Sequence, residues 1–166
     1  MIKTDDMPFS KKRYDKYDPL GKQVAIEWLT KLGFQDIHEN EKESKRDFTE
    51  IWDIGGTSPT GKIWRIEAEV KKDWGTEWSE MPFRWDTMHF PYRKRDKAKV
   101  HATHMMVVGG DLKRLFIVNR EIMLESPVEY KWVRNRRREE PFFSVPTTIK
   151  KSSFWFKYKK SWRQYE

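Results

Sequence analysis

The 166-residue sequence contains no cysteine, which excludes disulfides and thiolate zinc sites and favours a reducing compartment such as the cytoplasm. Long apolar runs are absent too, and the first residues lack the apolar core of a signal peptide. No glycine-rich phosphate-binding signature is present. We therefore expect a cytoplasmic protein that neither enters a membrane nor holds a nucleotide in a phosphate loop.

The composition combines a very polar chain with many aromatic residues. Charged residues make up 36% of the chain and the mean hydropathy is −0.95, values that alone would indicate disorder. Against this stand 9 Trp, 10 Phe and 6 Tyr, which disordered chains rarely carry because they cannot bury them. The length fits one domain. A compact domain with an aromatic core and a polar surface is expected.

The net charge of +8 is concentrated near the end of the chain. Residues 131–166 hold 11 basic and three acidic side chains, so the whole surplus lies there. Aromatic residues are interleaved with these cations, a mixture suited to the phosphates and bases of nucleic acid. A solvated basic tail is the alternative. We predict a basic, aromatic segment that packs on the same domain and contacts DNA through Arg136, Arg137 and Arg138.

The first half of the chain contains one strong helix pattern. Residues 1–17 are polar and basic and predict a flexible arm. Asp18 and Pro19 suit the N-cap and first position of a helix, and Gly33 suits its C-terminal end. Apolar residues recur at every fourth position, at Leu20, Val24, Trp28 and Leu32. A helix over 19–32 is predicted.

Strand patterns follow this helix. A short strand is predicted over 34–39, and the runs 47–54 and 62–72 form a hairpin around the turn-rich linker 55–61. A second strand pair is predicted over 103–108 and 114–118. Between the two pairs, Pro91 is predicted to start a basic helix that approaches the DNA backbone through Arg93, Lys94 and Arg95.

The second strand of the first hairpin separates apolar from charged residues. Trp64, Ile66, Ala68 and Val70 alternate with Arg65, Glu67, Glu69 and Lys71, which places the charged residues on one face. Such a face is either a solvated surface joined by ion pairs or a site. With Ile54 opposite Lys62, Asp47 lies across from Glu69, at a Cβ separation of about 5 Å.

Opposed carboxylates repel unless a cation lies between them, and Mg²⁺ or Mn²⁺ prefers oxygen ligands. Lys71, two positions further along the same face, is placed to steer an attacking water. Asp53 shares the face of Asp47, but this register puts it near the turn, about 20 Å along the strand. The register therefore favours Asp47 over Asp53.

An Asp before a hairpin and a Glu-x-Lys in the next apolar strand resemble the PD-(D/E)xK nuclease superfamily. The resemblance matches Asp47 to the Asp, Glu69 and Lys71 to the Glu-x-Lys, and the helix 19–32 to the leading helix, with Glu27 as its acidic residue. It implies an α/β fold with a restriction-endonuclease-like αβββαβ core, a mixed sheet flanked by helices. Glu67 is an additional acid, so which glutamate binds the metal stays open. For Glu27 the alternative is an ion pair with Lys31.

The resemblance predicts a metal-dependent endonuclease that hydrolyses DNA phosphodiester bonds, with its core over 18–130. Asp47, Glu69 and Lys71 are the expected catalytic residues, and Mg²⁺ or Mn²⁺ is expected on Asp47 and Glu69, with Glu67 or Glu27. A homodimer is expected because each centre cuts one strand. The alternative is a non-catalytic nucleic-acid-binding module on the same fold. The DNA target stays open, as does RNA as a substrate.

Overall fold

The computed structural model describes residues 11–40, 52–72, 74, 86–95, 101–134, 136–147 and 152–164. Within this part of the chain, the helices are α1 (Lys11–Lys31) and α2 (Arg120–Glu125), with a 3₁₀ turn at Tyr92–Lys94. The strands are β1 (Gln35–Glu39), β2 (Ile54–Thr57), β3 (Ile63–Lys71), β4 (Thr87–Pro91), β5 (His104–Gly109), β6 (Arg114–Asn119), β7 (Val128–Val133), β8 (Arg138–Pro146), β9 (Ser152–Tyr158) and β10 (Ser161–Gln164).

Helix α1 ends where the sequence predicts but begins earlier. Gly33 has a φ of 81° just past its C-terminus, and its N–H donates to the carbonyl of Thr30 at 3.1 Å. The helix begins at Lys11, so the predicted N-cap Asp18 and Pro19 lie inside it. Asp18 instead forms an i,i+4 ion pair with Lys22 at 3.0 Å. The helix thus includes residues 11–17 of the predicted arm, while residues 1–10 lie outside the described residues.

The strands form two sheets. The larger has the order β1-β2-β3-β5-β6-β9-β10 and is antiparallel except for the parallel pair β3 and β5. The smaller has the order β4-β8-β7 and is antiparallel. The predicted α/β class with a mixed sheet is confirmed. Because β3 and β5 are parallel, the chain between them must cross over, and this crossover carries β4 and the 3₁₀ turn.

The core lies on both faces of the larger sheet. On one face α1 packs through Val24, Trp28 and Leu29 against a cluster that includes Ile66, Met106 and Trp162. The other face is covered by the smaller sheet and α2, around Met88, Phe90, Phe116 and Met123. Strands β5 and β6 contribute to both clusters, which explains why they are apolar at successive positions. The second covering layer is therefore mainly a sheet, where helices were predicted on both sides.

The predicted strand pair around Gly109 and Gly110 is confirmed by the pairing of β5 with β6. Gly110 is required there for steric reasons, since a Cβ atom would lie 1.9 Å from the carbonyl oxygen of Lys72. Its N–H donates to the carbonyl of Trp74 at 2.6 Å. The turn thus holds the chain directly after Lys71, which is the last residue of β3.

The crossover is described only in part. Of the predicted basic helix after Pro91, the structure describes a 3₁₀ turn at Tyr92–Lys94 and a helical residue at Arg95, and residues 96–100 lie outside the described residues. Among the helices that the structure describes, none combines the length and the apolar character needed to span a bilayer.

Candidate active site on strand β3

Strand β3 is central in the larger sheet and has two chemically different faces. Ile66 and Val70 pack in the cluster under α1, and Trp64 contacts the rings of Trp28 and Phe34. The alternate residues Glu67, Glu69 and Lys71 lie on the opposite face. The alternation predicted for this strand is confirmed. Charged side chains thus lie under the crossover, in a partly or fully buried environment.

Lys94 joins the two glutamates of this face. Its Nζ lies 3.0 Å from Oε1 of Glu67 and donates to Oε2 of Glu69 at 2.7 Å. The side chain of Glu67 is 8% exposed and that of Glu69 is 35% exposed. Burial by itself would raise the pKa of Glu69, but the ammonium groups of Lys94 and Lys71 lower it to about 2. Glu69 is therefore ionised at neutral pH and remains accessible from solvent.

The two lysines respond differently to burial. Burial would lower the pKa of Lys94, but its contacts with Glu69 and Glu67 raise it, so Lys94 is a fixed positive charge. The pKa of Lys71 is lowered by burial and by the charge of Lys94, against the opposing effect of Glu69. Lys71 Nζ donates to the carbonyl of His89 in β4 at 3.2 Å. Strand β4 thus fixes the amino group beside Glu69.

A third carboxylate, Asp53, is attached to the same part of β3. Its Oδ2 accepts from the N–H of Ala68 at 2.8 Å, and its own N–H donates to the carbonyl of Ile66 at 2.8 Å. Burial, together with the carboxylates of Glu67 and Asp18, raises the pKa of Asp53 to about 6, against the opposing effects of the Ala68 hydrogen bond and the charge of Lys22. The charges of Asp18 and Lys22 on helix α1 thus affect Asp53.

The register predicted for the first hairpin is wrong. Ile54 pairs with Ile66 and not with Lys62, and the linker residues Gly55 and Gly56 belong to β2. The turn is formed by residues 58–62, with the N–H of Ser58 donating to the carbonyl of Lys62 at 2.8 Å. This shift of four residues brings Asp53 to the level of Glu67, where its carboxylate accepts from the N–H of Ala68. The reason for preferring Asp47 is thereby removed, and Asp47 itself lies outside the described residues.

The ring of Trp52, two positions before the first residue of β2, lies beside β1. It contacts the ring of His38 at 5.4 Å between centroids, and the guanidinium of Arg65 lies 5.8 Å from it. A Cβ atom on Gly55 would lie 2.9 Å from both His38 and Trp52. A side chain at this position would therefore have to displace one of the two rings.

Glu27 does not join the acidic residues of β3. It lies on α1, which covers the opposite face of the sheet, and it forms an ion pair with Lys157 of β9. The predicted pair with Lys31 is replaced by this longer-range contact. The metal role predicted for Glu27 has no support from this placement, and the acid that α1 brings near Asp53 is Asp18.

The cations predicted to contact DNA have different surroundings. Arg93 is exposed, whereas Lys94 is buried between the glutamates and is not a surface residue. The guanidinium of Arg95 lies over the ring of Tyr92 and donates to its hydroxyl at 2.6 Å. Arg136, Arg137 and Arg138 are exposed where β7 turns into β8, and Arg136 and Arg138 contact Glu140 at 3.0 and 2.9 Å.

Sequence reasoning did not predict the surroundings that Asp53, Asp18 and Lys94 have in the structure. Lys94 belongs to a basic run, and nothing in that run distinguishes a buried cation from its exposed neighbours. Asp53 was considered and set aside because the glycine pair was placed in the turn. Its position directly before a β-strand was the signal that would have favoured it.

The carboxylates around β3 carry oxygen donors of the type that a hard cation needs. Among the described residues, no group of three or more His, Cys, Asp or Glu is placed to hold a metal ion. Mg²⁺ needs only one or two carboxylates, because water and phosphate complete its coordination. Asp53 and Glu69 offer oxygen donors of this kind. The charge of Lys94 partly fills the same electrostatic role.

Comparisons with known proteins give limited similarity. A scan against protein-family models and a search of curated proteins found no match. Among solved structures, the fold is similar to that of a bacterial homing endonuclease, I-Ssp6803I, with 12% sequence identity and a TM-score of 0.44. The similarity covers 85% of this chain and 81% of that chain. An overlap of this size does not transfer residues or activity to this protein.

Proposed function

We propose that this protein is a Mg²⁺- or Mn²⁺-dependent endonuclease that hydrolyses DNA phosphodiester bonds, with a centre of the PD-(D/E)xK type. The observation that carries this proposal is the set of charged side chains on one face of β3, in which Lys94 joins Glu67 and Glu69 and the charge of Lys71 acts on Glu69. Asp53 is hydrogen-bonded to the same strand at Ala68. Charged groups are costly to bury, and perturbed carboxylates and amines are concentrated at functional sites. A merely solvating face would lie in water and would need none of these contacts.

In this proposal Asp53 takes the place that the sequence assigned to Asp47. It lies directly before β2, a hairpin follows it, and Glu69-Val70-Lys71 lies in the next strand, so the order of the motif is kept. Glu69 is the metal-binding glutamate because it is ionised and accessible from solvent. Glu67 is nearly buried and serves to hold Lys94.

Each side chain has a chemical task in the hydrolysis. Asp53 and Glu69 provide carboxylate oxygens for the cation, which when bound supplies positive charge to the phosphate and the attacking water. Lys71, fixed by the carbonyl of His89, orients that water and offsets the charge that develops on phosphorus. Lys94 keeps the carboxylate of Glu69 in one position.

Cleavage of supercoiled plasmid DNA tests this proposal. With Mg²⁺ the wild-type protein should nick and linearise the plasmid, and EDTA should abolish the reaction. Glu69→Gln should bind DNA without cutting it. Glu27→Gln is the matched control, because Glu27 lies on the opposite face of the sheet and should be dispensable for chemistry. Wild-type cleavage by Glu69→Gln, or full cleavage in EDTA, would refute the proposal.

A second candidate function is non-catalytic binding of nucleic acid. The ion pairs of Lys94 with Glu67 and Glu69 favour it, because an ammonium group already compensates both carboxylates without a metal. In that case the plasmid stays intact at every Mg²⁺ or Mn²⁺ concentration, while DNA binding is retained. Binding measured beside cleavage therefore separates the two functions.

We also propose that the endonuclease acts as a homodimer. One centre cuts one strand, so a double-strand cut needs two copies in a symmetric arrangement. Sedimentation of the protein with and without duplex DNA should give the mass of two chains. A monomer that linearises plasmid by independent nicks would contradict this part of the proposal.

A further inference from the structure

Strand β7 exposes two large aromatic side chains. It is the outer strand of the smaller sheet, and Tyr130 and Trp132 are 67% and 63% exposed. They share one face of the strand with Val128, since they are alternate residues. Glu129 and Lys131 lie on the other face, where they contact each other at 3.6 Å. Neighbouring exposed rings of this size are typical of a binding surface.

The spacing of the two rings fits a planar base. Residues two apart in a strand are about 6.6–6.8 Å apart, which is twice the stacking distance of about 3.4 Å between nucleotides. One base inserted between the rings would therefore contact both. The cross-strand partners of Tyr130 and Trp132 are Pro141 and Glu139, so β8 places no ring directly opposite them. Stacking on aromatic side chains is open to any base.

The charge around the rings favours a polyanion over a second copy of the same strand. Residues 128–140 carry five basic and three acidic side chains, a net charge of +2. The cations are concentrated where β7 turns into β8, just beyond Trp132. Two such segments side by side would repel each other, whereas phosphates would be attracted. The five cations are Lys131, Arg134, Arg136, Arg137 and Arg138.

The rings are joined to the candidate active site through β4. Strand β8 pairs with β7 on one side and with β4 on the other. In β4, His89 gives its carbonyl to Lys71, and its ring lies 3.3 Å from the hydroxyl of Ser144 in β8 and 3.6 Å from Glu129 in β7. A nucleotide held by the rings would therefore be bound by the same sheet that contacts Lys71.

We propose that Tyr130 and Trp132 form a binding site for an unpaired nucleobase, so that the DNA substrate carries a single-stranded or branched segment. A base inside a continuous duplex is stacked between its neighbours and cannot enter between the rings. This inference rests on the proposed nucleic-acid substrate and narrows it. It does not depend on the metal or on cleavage.

Binding without metal tests the inference. In buffer with EDTA, fluorescence anisotropy would measure the affinity of the wild-type protein for labelled oligo-dT and for a blunt duplex of equal length. The double variant Tyr130→Ala/Trp132→Ala should lose at least about 10-fold in affinity for oligo-dT. Its affinity for the duplex should change less than about twofold. Trp132→Phe should restore most of the oligo-dT affinity to the single Trp132→Ala variant, because a ring is restored.

Val128→Ala is the matched control, since Val128 lies on the same face and offers no ring. An equal loss on both DNA forms, or no loss on oligo-dT, would overturn the inference. The inference would also be overturned if the wild-type protein self-associates and the double variant does not, while both bind oligo-dT with equal affinity. A second copy of the chain would then occupy this strand. If the alanine variants do not fold, tryptophan fluorescence provides a second test. Oligo-dT should quench the fluorescence of the wild-type protein, and this quenching should be lost in Trp132→Phe if a base stacks on Trp132.

The outcome is independent of the proposed nuclease activity. Glu69→Gln should bind oligo-dT like the wild-type protein. If plasmid is never cut but the ring variants lose oligo-dT binding, the base site stands and the nuclease proposal falls. If plasmid is cut and the ring variants bind oligo-dT like the wild-type protein, the nuclease proposal stands and the base site falls.

Discussion

The ammonium group of Lys94 lies 2.7 Å from Oε2 of Glu69, although 25 residues separate them in the chain. The same ammonium contacts Glu67, so one cation compensates two carboxylates on one strand face. Because the lysine side chain is only 10% exposed, these charges are shielded little by water. The contact ties the crossover between β3 and β5 to the strand that carries the acidic residues.

Removal of this cation should destabilise the protein strongly. Lys94→Met leaves two close carboxylates without compensation, and breaking a buried ion pair costs about 3–5 kcal/mol. Added Mg²⁺ should recover more stability in Lys94→Met than in the wild-type protein, because it can compensate the same carboxylates. Thermal unfolding over a Mg²⁺ titration measures both effects. The triple variant Glu67→Gln/Glu69→Gln/Lys94→Met should be less destabilised, and equal stability of Lys94→Met and wild type would contradict this account.

Asp53→Asn should abolish plasmid cleavage and leave the fold intact. Asparagine keeps an oxygen that can accept from the N–H of Ala68, while the charged metal ligand is lost. The free energy of unfolding without metal should change by less than about 1 kcal/mol, since a carboxylate that is costly to bury has been removed. Asp47→Asn is the comparison and should remain active. Loss of cleavage in Asp47→Asn, with retention in Asp53→Asn, would restore the assignment made from the sequence.

Gly110→Ala should destabilise the protein by about 1–3 kcal/mol or more, because the new Cβ atom meets the backbone of Lys72 and not a movable side chain. Cleavage should fall as well, since Lys71 precedes that contact. Gly56→Ala is the control: it also lies in a buried strand, but its Cβ atom would meet ordinary contacts at 3.5 Å. Denaturant unfolding of the two variants measures the difference. Equal destabilisation would show that the close approach at Gly110 is relieved easily.

His104 should make stability depend on pH. Burial lowers the pKa of His104 to about 4, and its ring stacks on Trp64 with centroids 3.6 Å apart. Between about pH 6.5 and 4 the unfolded chain binds a proton that the folded protein does not. The free energy of unfolding should therefore fall as the pH decreases through this range, by about 1–3 kcal/mol given the partial exposure. Above pH 6.5 this contribution is constant. Unfolding of wild type and His104→Gln at several pH values measures it, and parallel curves would exclude His104 as the cause.

Replacement of Arg136, Arg137 and Arg138 by Gln should weaken duplex binding and reduce its salt dependence. Each lost phosphate contact lowers the log–log slope by about 0.9. Arg136 and Arg138 share Glu140, so the reduction should be smaller than three full contacts would give. Affinity measured across a salt series tests this. An unchanged slope would mean that these arginines do not contact phosphate.

Local sequence patterns determined which side chains share a face of β3. Alternation along one strand is a property of the backbone itself, so Glu67, Glu69 and Lys71 had to lie opposite Ile66 and Val70 once the strand formed. The end of α1 at Gly33 and the β5–β6 pair followed from equally local signals. These are interactions between residues a few positions apart, which the sequence displays directly.

Only the tertiary structure decided which carboxylate joins β3 and which cation compensates its glutamates. Gly55 and Gly56 lie within β2, where they pair with Arg65 and Trp64, so turn composition alone put the pairing partner of Ile54 four residues too early. Lys94 reaches the glutamates because the crossover brings β4 over the sheet. Which of these charged side chains meet is decided by contacts between segments that are far apart in the sequence. A local sequence pattern carries no information about such contacts.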